Sequence, residues 1–172
     1  MPEASPRPLS VPVVGRRLWG SADPRQPYEV RASLRAVVLH HTNGATGSLE
    51  LGDPHAEAAY VRRIQRGHFE RGFDDIGYHF VIMPSGRIFQ GRPTWAVGAH
   101  VKGHNADTLG IALAGDFNSQ GPTRQAIGAI GRVRSRLIPA GAVVPLLGHS
   151  DLAAKDCPGA SLVHYLNANG NR

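Results

Sequence analysis

The segment Ala36-Val37-Val38-Leu39-His40-His41-Thr42 decides the fold. A short apolar run with β-branched residues reads as a buried strand, and this one ends in two histidines. Neighbouring strand side chains point to opposite faces, so only one of His40 and His41 can face a given site. Residues 42–52 read as a polar, glycine-containing loop. A helix is expected next. Asp53 is a good N-cap, Pro54 suits the first helical position and Gly72 a stop. Ala58, Val61, Ile64, Gln65 and His68 share one face of that helix at its 3.6-residue period.

Further out, Tyr78–Met83 and Arg87–Gln90 are β-like runs joined by Pro84-Ser85-Gly86, a hairpin signal. Val97–His100 and Leu109–Ala114 are further strand candidates, and Val143–Leu147 another despite Pro145. Residues 123–138 carry Ile127, Ile130, Val133, Arg134 and Leu137 at helical spacing, closed by Pro139 and Gly141. Ser161–Leu166 reads as a last helix. Strands alternating with helices, plus one hairpin, predict an α/β fold: one domain with a central mixed sheet flanked by about three helices.

The chain has 172 residues, and 41% of them are apolar, enough for one buried core. One cysteine, Cys157, excludes an internal disulfide framework. No apolar run approaches the roughly 18 residues of a membrane span. The first 20 residues lack the apolar core of a secretory signal, so the protein is expected to collect in the cytosol. Net charge is +6, from 19 basic residues (17 Arg, with Lys102 and Lys155) and 13 acidic ones. Half of it lies in residues 1–35, where six arginines face Glu3, Asp23 and Glu29. Residues 1–14 are expected to be a basic, proline-rich arm and 15–172 the working domain. The arm should be extended, and ordered in part by Val13, Val14, Leu18 and Trp19. No helix-turn-helix, RNP-like motif or zinc-finger spacing appears, so specific nucleic-acid binding is not expected. Arg7, Arg16, Arg17 and Arg25 are instead candidate contacts for some other polyanion.

The thiol sits in GHSDLAAKDCPGA (148–160), with seven residues between it and His149. A neutral imidazole and a thiolate are good zinc ligands, and three protein ligands plus an open position define a catalytic zinc site. The double histidine at the strand end can supply the third ligand.

At this point the sequence resembles the zinc-dependent N-acetylmuramoyl-L-alanine amidases of type 2, the family of the peptidoglycan recognition proteins and the amidase-type phage lysozymes. The resemblance covers about residues 15 to 165. It rests on RRLWG (16–20), VVLHHT (37–42), ERGFDDIGYHFVI (70–82), GRIFQGRP (86–93), VGAHVKGHNADTLGIALAGDF (97–117) and GHSDLAAKDCPG (148–159), in the family's order. It implies a peptidoglycan recognition protein-like fold and one Zn²⁺ held by His40, His149 and Cys157. Tyr78 and Lys155 are implied as catalytic residues. The implied reaction hydrolyses the amide between N-acetylmuramic acid and L-alanine in peptidoglycan. His100 and Asn105 match positions that line the family's substrate groove, and Trp95 is a candidate for stacking on a sugar. The cysteine pair of the animal members is missing. That favours a phage or bacterial enzyme that folds in a reducing cytosol. With no secretory signal, the leading expectation is a phage endolysin, a monomer held in the host cytoplasm until lysis and then acting on the wall. A bacterial autolysin or wall-recycling amidase would use the same chemistry.

Other histidines have plainer expectations. His41 is a supporting or core residue, and His79, next to Tyr78, faces away as a structural one. His55, His68 and His164 lie on expected helices with no part in the chemistry. After Gly91-Arg92 comes Pro93-Thr94, with Trp95 one place late, and Asp107 stands where diaminopimelate-selecting members often place arginine. The stem-peptide preference therefore does not carry over. Three rivals remain: a cysteine peptidase using Cys157 with His149, a wall-binding module without activity, and a nucleic-acid-binding protein.

Overall fold

A computed structural model describes residues 12–47, 49 and 52–169. Its elements are β1 (Val13–Val14), α1 (Arg16–Trp19), β2 (Ala36–His41), α2 (Pro54–Glu70), β3 (Phe80–Ile82), β4 (Ile88–Gln90), β5 (Thr108–Leu113), α3 (Arg124–Leu137), β6 (Leu146–Gly148) and α4 (Ala160–Asn169). A single 3-10 turn, His149–Asp151, follows β6. The strands form one mixed sheet in the order β1-β4-β3-β5-β2-β6. Only β3 and β4 run antiparallel, and every other pairing is parallel.

Strand β2 is buried along its whole length between β5 and β6. A parallel strand covered on both faces needs apolar side chains on both, which is why 36–39 reads as a continuous apolar run. The period of two then sorts residues between layers. Val37, Leu39, Phe80, Ile82 and Ile88 pack with α3 and α4 through Ile130, Val133, Leu162 and Leu166. Val81, Met83 and Phe89 face α1 and α2, meeting Trp19, Tyr60 and Val61.

The helices begin where the sequence places their caps. Asp53 accepts the backbone N–H of His55, and Thr123 that of Ala126. Three long helices flank the sheet as expected, and α1 adds a single turn. Several boundaries differ. The hairpin strands shorten to β3 and β4. The strand expected at 143–147 becomes Leu146–Gly148, because Pro145 has no N–H for the ladder, although its carbonyl accepts from Val37. Val97–His100 is not a strand. Its amides turn to separate partners, Val97 N–H to Glu29 and Ala99 N–H to Gly77. The last helix runs to Asn169.

The described part of the N-terminal segment closes the sheet's far edge. Val13 and Val14 pair with Ile88 and Phe89, and Trp19 is fully buried with its indole N–H on the Gln90 carbonyl. Leu18, expected to help order this segment, points to solvent instead. Arg16 bonds the carbonyls of Gly91 and Ala22 and pairs with buried Asp75 at 2.8 Å. Asp75 also accepts from Gln65 and from the Tyr28 hydroxyl. Arg25 lies over the Phe69 ring and donates to its carbonyl. Arg7 falls outside the described residues.

Candidate metal centre and cleft

Three segments meet at the ends of β2 and β6. His40 comes from the end of β2, His149 starts the 3-10 turn after β6, and Cys157 sits on the following loop. One ligand atom from each lies within 4.8 Å of the others. The Cys157 Sγ is 3.5 Å from His40 Nδ1. Zinc–ligand bonds of about 2.0–2.3 Å in a tetrahedron would separate ligand atoms by roughly 3.3–3.6 Å, so the three donors suit the ion in kind and the His40–Cys157 pair suits it in spacing.

His41 is not in the ligand group: its Nδ1 accepts the Phe117 N–H at 3.4 Å and lies 3.7 Å from Asp116, although the residue also borders the cleft. Its backbone N–H points at the Cys157 Sγ, 3.4 Å away.

Burial sets the charge states. His40 is held well below the usual imidazole range by burial and then by His100 and His149. His149 is lowered by burial and then by Lys155. Both present lone pairs rather than charge. Burial pushes the Cys157 thiol up to about 11, against the opposing His41 N–H. A buried thiol of this kind gives up its proton when a cation coordinates it. The Tyr78 hydroxyl is raised by burial and then by Cys157, so it stays a hydrogen-bond donor at neutral pH.

A cleft of about 340 Å³ opens over this cluster. His40, His149, Cys157, Tyr78, Lys155 and His100 all line it. Tyr78 packs its ring against His40, with centroids 5.3 Å apart. Lys155 is exposed at the rim. The other two predicted contacts lie elsewhere. The Asn105 side chain accepts the N–H groups of His100 and Val101, each at 2.8 Å, and shapes that loop. Trp95 is 52% exposed and meets Tyr28 edge-on, away from the cleft.

The cleft wall also contains His68, Arg71 and Phe73, none of them singled out from the sequence. His68 was expected to have no part in the site. It is buried near the end of α2, accepts the Gly77 N–H at 2.8 Å through Nδ1, and packs against Tyr78. Burial lowers its pKa to about 4, helped by Arg71 and Arg92. A signal did exist. Gln65 and His68 are polar residues on the apolar face of α2, and buried polar groups need partners.

The α/β sheet brings two neutral imidazoles from the ends of adjacent parallel strands and a thiol from the next loop together beside a cleft, an arrangement that could hold a metal ion. The chain belongs to the N-acetylmuramoyl-L-alanine amidase family (Amidase_2), whose model matches residues 30–160. It is 36% identical over 168 residues to the N-acetylmuramoyl-L-alanine amidase of Sus scrofa, covering 92% of this chain and 27% of the pig protein. It thus spans about a quarter of that relative's length. It is 35% identical over 111 residues to the endolysin of Enterobacteria phage K11, covering 62% of this chain and 74% of the endolysin. Among solved structures, the amidase LysC of Clostridium intestinale superposes with a TM-score of 0.75 at 28% identity, covering 92% of this chain and 97% of LysC. Peptidoglycan recognition protein LE, solved with tracheal cytotoxin, a monomeric diaminopimelic acid-type peptidoglycan, gives 0.82 at 25% identity, covering 91% and 93%.

Proposed function

We propose that this chain hydrolyses the amide between N-acetylmuramic acid and L-alanine in peptidoglycan, with Zn²⁺ held by His40, His149 and Cys157. The observation that carries this reading is the convergence of those three ligands with Tyr78 and Lys155 in one cleft. Zinc bound there would supply Lewis acidity and a water acidic enough to ionise near neutral pH.

The remaining work falls to the chain. The Lys155 ammonium at the rim faces the charge that develops on the scissile carbonyl oxygen, and the Tyr78 O–H donates to the tetrahedral centre or the attacking water. His68, neutral and fixed through Nδ1, presents Nε2–H as a further donor from the wall.

The setting we propose is a phage endolysin, supported by the similarity to the phage K11 protein. In that setting the enzyme stays in the host cytoplasm until lysis and then meets the wall as a monomer. Among the described residues, any contact with anionic envelope polymers would fall to the exposed Arg17 and Arg25 rather than to Arg16, which is half-buried and paired with Asp75.

The test is digestion of defined muropeptides with and without a chelator. Fragments with the mass of free stem peptide and a new L-alanine amino terminus, absent in excess chelator, support the reading. Cleavage that survives chelation overturns the metal assignment. Binding without cleavage assigns a recognition module instead, and iodoacetamide inhibition that zinc does not prevent assigns a cysteine peptidase.

A further inference from the structure

We propose that His100 is a positioning residue for His40, fixing which ring nitrogen of His40 is free to hold a metal. The inference rests on the reading of His40 as a ligand. It comes from a chain of hydrogen bonds running away from the metal cluster. His40 Nε2 meets His100 Nδ1 at 3.0 Å. The other nitrogen of His100, Nε2, meets the Thr108 hydroxyl at 3.4 Å. That hydroxyl donates to the backbone carbonyl of His104.

The far end sets the direction. A carbonyl can only accept, so the single hydroxyl proton of Thr108 is used on His104. Thr108 can then only accept from His100, which places the His100 proton on Nε2 and leaves Nδ1 as an acceptor. His40 must therefore donate from Nε2. Its lone pair is left on Nδ1, the atom 3.5 Å from the Cys157 sulfur. Reversing any link would put a proton on the ligating atom.

The ring that passes this constraint along is locked in place. A Cβ on Gly98 would stand 2.5 Å from His100 Cδ2, and one on Gly110 2.6 Å from its Cγ. Real side-chain atoms do not approach so closely, so these two glycines form a slot for the imidazole. The Asn105 carboxamide holds the His100 backbone from the other side. Asn105 and Thr108 thus act on the metal centre through His100 without touching it.

The experiment compares the parent chain with His100→Leu, His100→Asn and Thr108→Val. Two quantities are read: the tautomer of His40 in the metal-free protein, by long-range ¹H–¹⁵N correlation, and the zinc dissociation constant, by competition with a chromophoric chelator. The parent should show His40 protonated on Nε2 only. His100→Leu should mix the two tautomers and weaken zinc binding about 10- to 100-fold, the usual effect of removing a partner behind a ligand histidine. His100→Asn, whose Oδ1 can accept where Nδ1 did, should restore the single tautomer and most of the affinity. Thr108→Val should mix the tautomers with a smaller loss, and it keeps the test alive if His100→Leu does not fold. Parental affinity and a single tautomer in His100→Leu would overturn the proposal. So would equal losses in the Leu and Asn variants with the tautomer unchanged. A parent chain that binds no zinc would sink the metal reading instead, and the tautomer measurement would still decide this one.

Discussion

His40 Nδ1 and Cys157 Sγ lie 3.5 Å apart although the two residues are 117 positions apart in the chain. The contact exists only in the folded protein, so it ties the candidate metal centre to the fold. Cys157→Ser and His149→Ala should each lower zinc affinity at least about a hundredfold and abolish cleavage, while the chain stays folded. Metal content after dialysis, measured beside circular dichroism, checks this.

Tyr78→Phe removes one hydroxyl and keeps the ring that packs on His40 and His68. Zinc content should be unchanged and kcat should fall about 10²- to 10³-fold, the usual cost of losing a donor to a developing oxyanion. Lys155→Ala should also lower kcat, with Lys155→Arg partly active, because the exposed rim tolerates a longer cation. Steady-state rates on a soluble muropeptide check both.

Zinc binding should strengthen with pH. The Cys157 thiol lies at about 11 without metal, so coordination must release its proton. His40 and His149 are already neutral at pH 7 and release none. Between pH 7 and 9 the association constant should therefore rise about tenfold per pH unit. Chelator competition across that range checks it, and a flat profile would contradict the buried thiol.

Stability should fall in acid for a separate reason. Burial lowers His68 and His79 to about 4. Unfolded histidines titrate near 6.5, so the unfolded chain binds more protons below that value. The stability these groups contribute is complete above pH 6.5 and is lost as pH falls from 6.5 toward 4. The loss is up to about 3 kcal/mol for each. Thermal melts of the metal-free protein at pH 7, 6 and 5 should show a descending Tm.

Asp75 is fully buried and holds Arg16, Tyr28 and Gln65 together. Asp75→Ala strands the Arg16 charge and should cost about 3–5 kcal/mol. Urea unfolding of the variant measures the loss.

The strand that carries His40 was legible because a double-sided core demands an unbroken apolar run, and 36–39 supplies one. The members of the His40, His149 and Cys157 cluster were legible through the family resemblance, because the spacing of His149 and Cys157 says little until a strand-end histidine joins them. Val97–His100 misled because its composition suits a strand, while its hydrogen-bond partners, Glu29 and Gly77, are distant in sequence. Asn105 fits a groove pattern, yet its carboxamide serves its own loop. His68 was passed over because only the folded chain brings the Gly77 N–H and the Tyr78 ring against that turn of α2.

The family match runs from residue 30 to 160, but the fold does not stop there. Trp19 lies before it, and Leu162 and Leu166 after it, all three fully buried. Cutting the chain to the matched span would keep His40, His149 and Cys157 while removing one edge strand and nearly all of the last helix. Both apolar layers would then open to water. For anyone trimming, fusing or permuting this chain, the minimal cassette is set by what seals the sheet rather than by the residues that line the cleft.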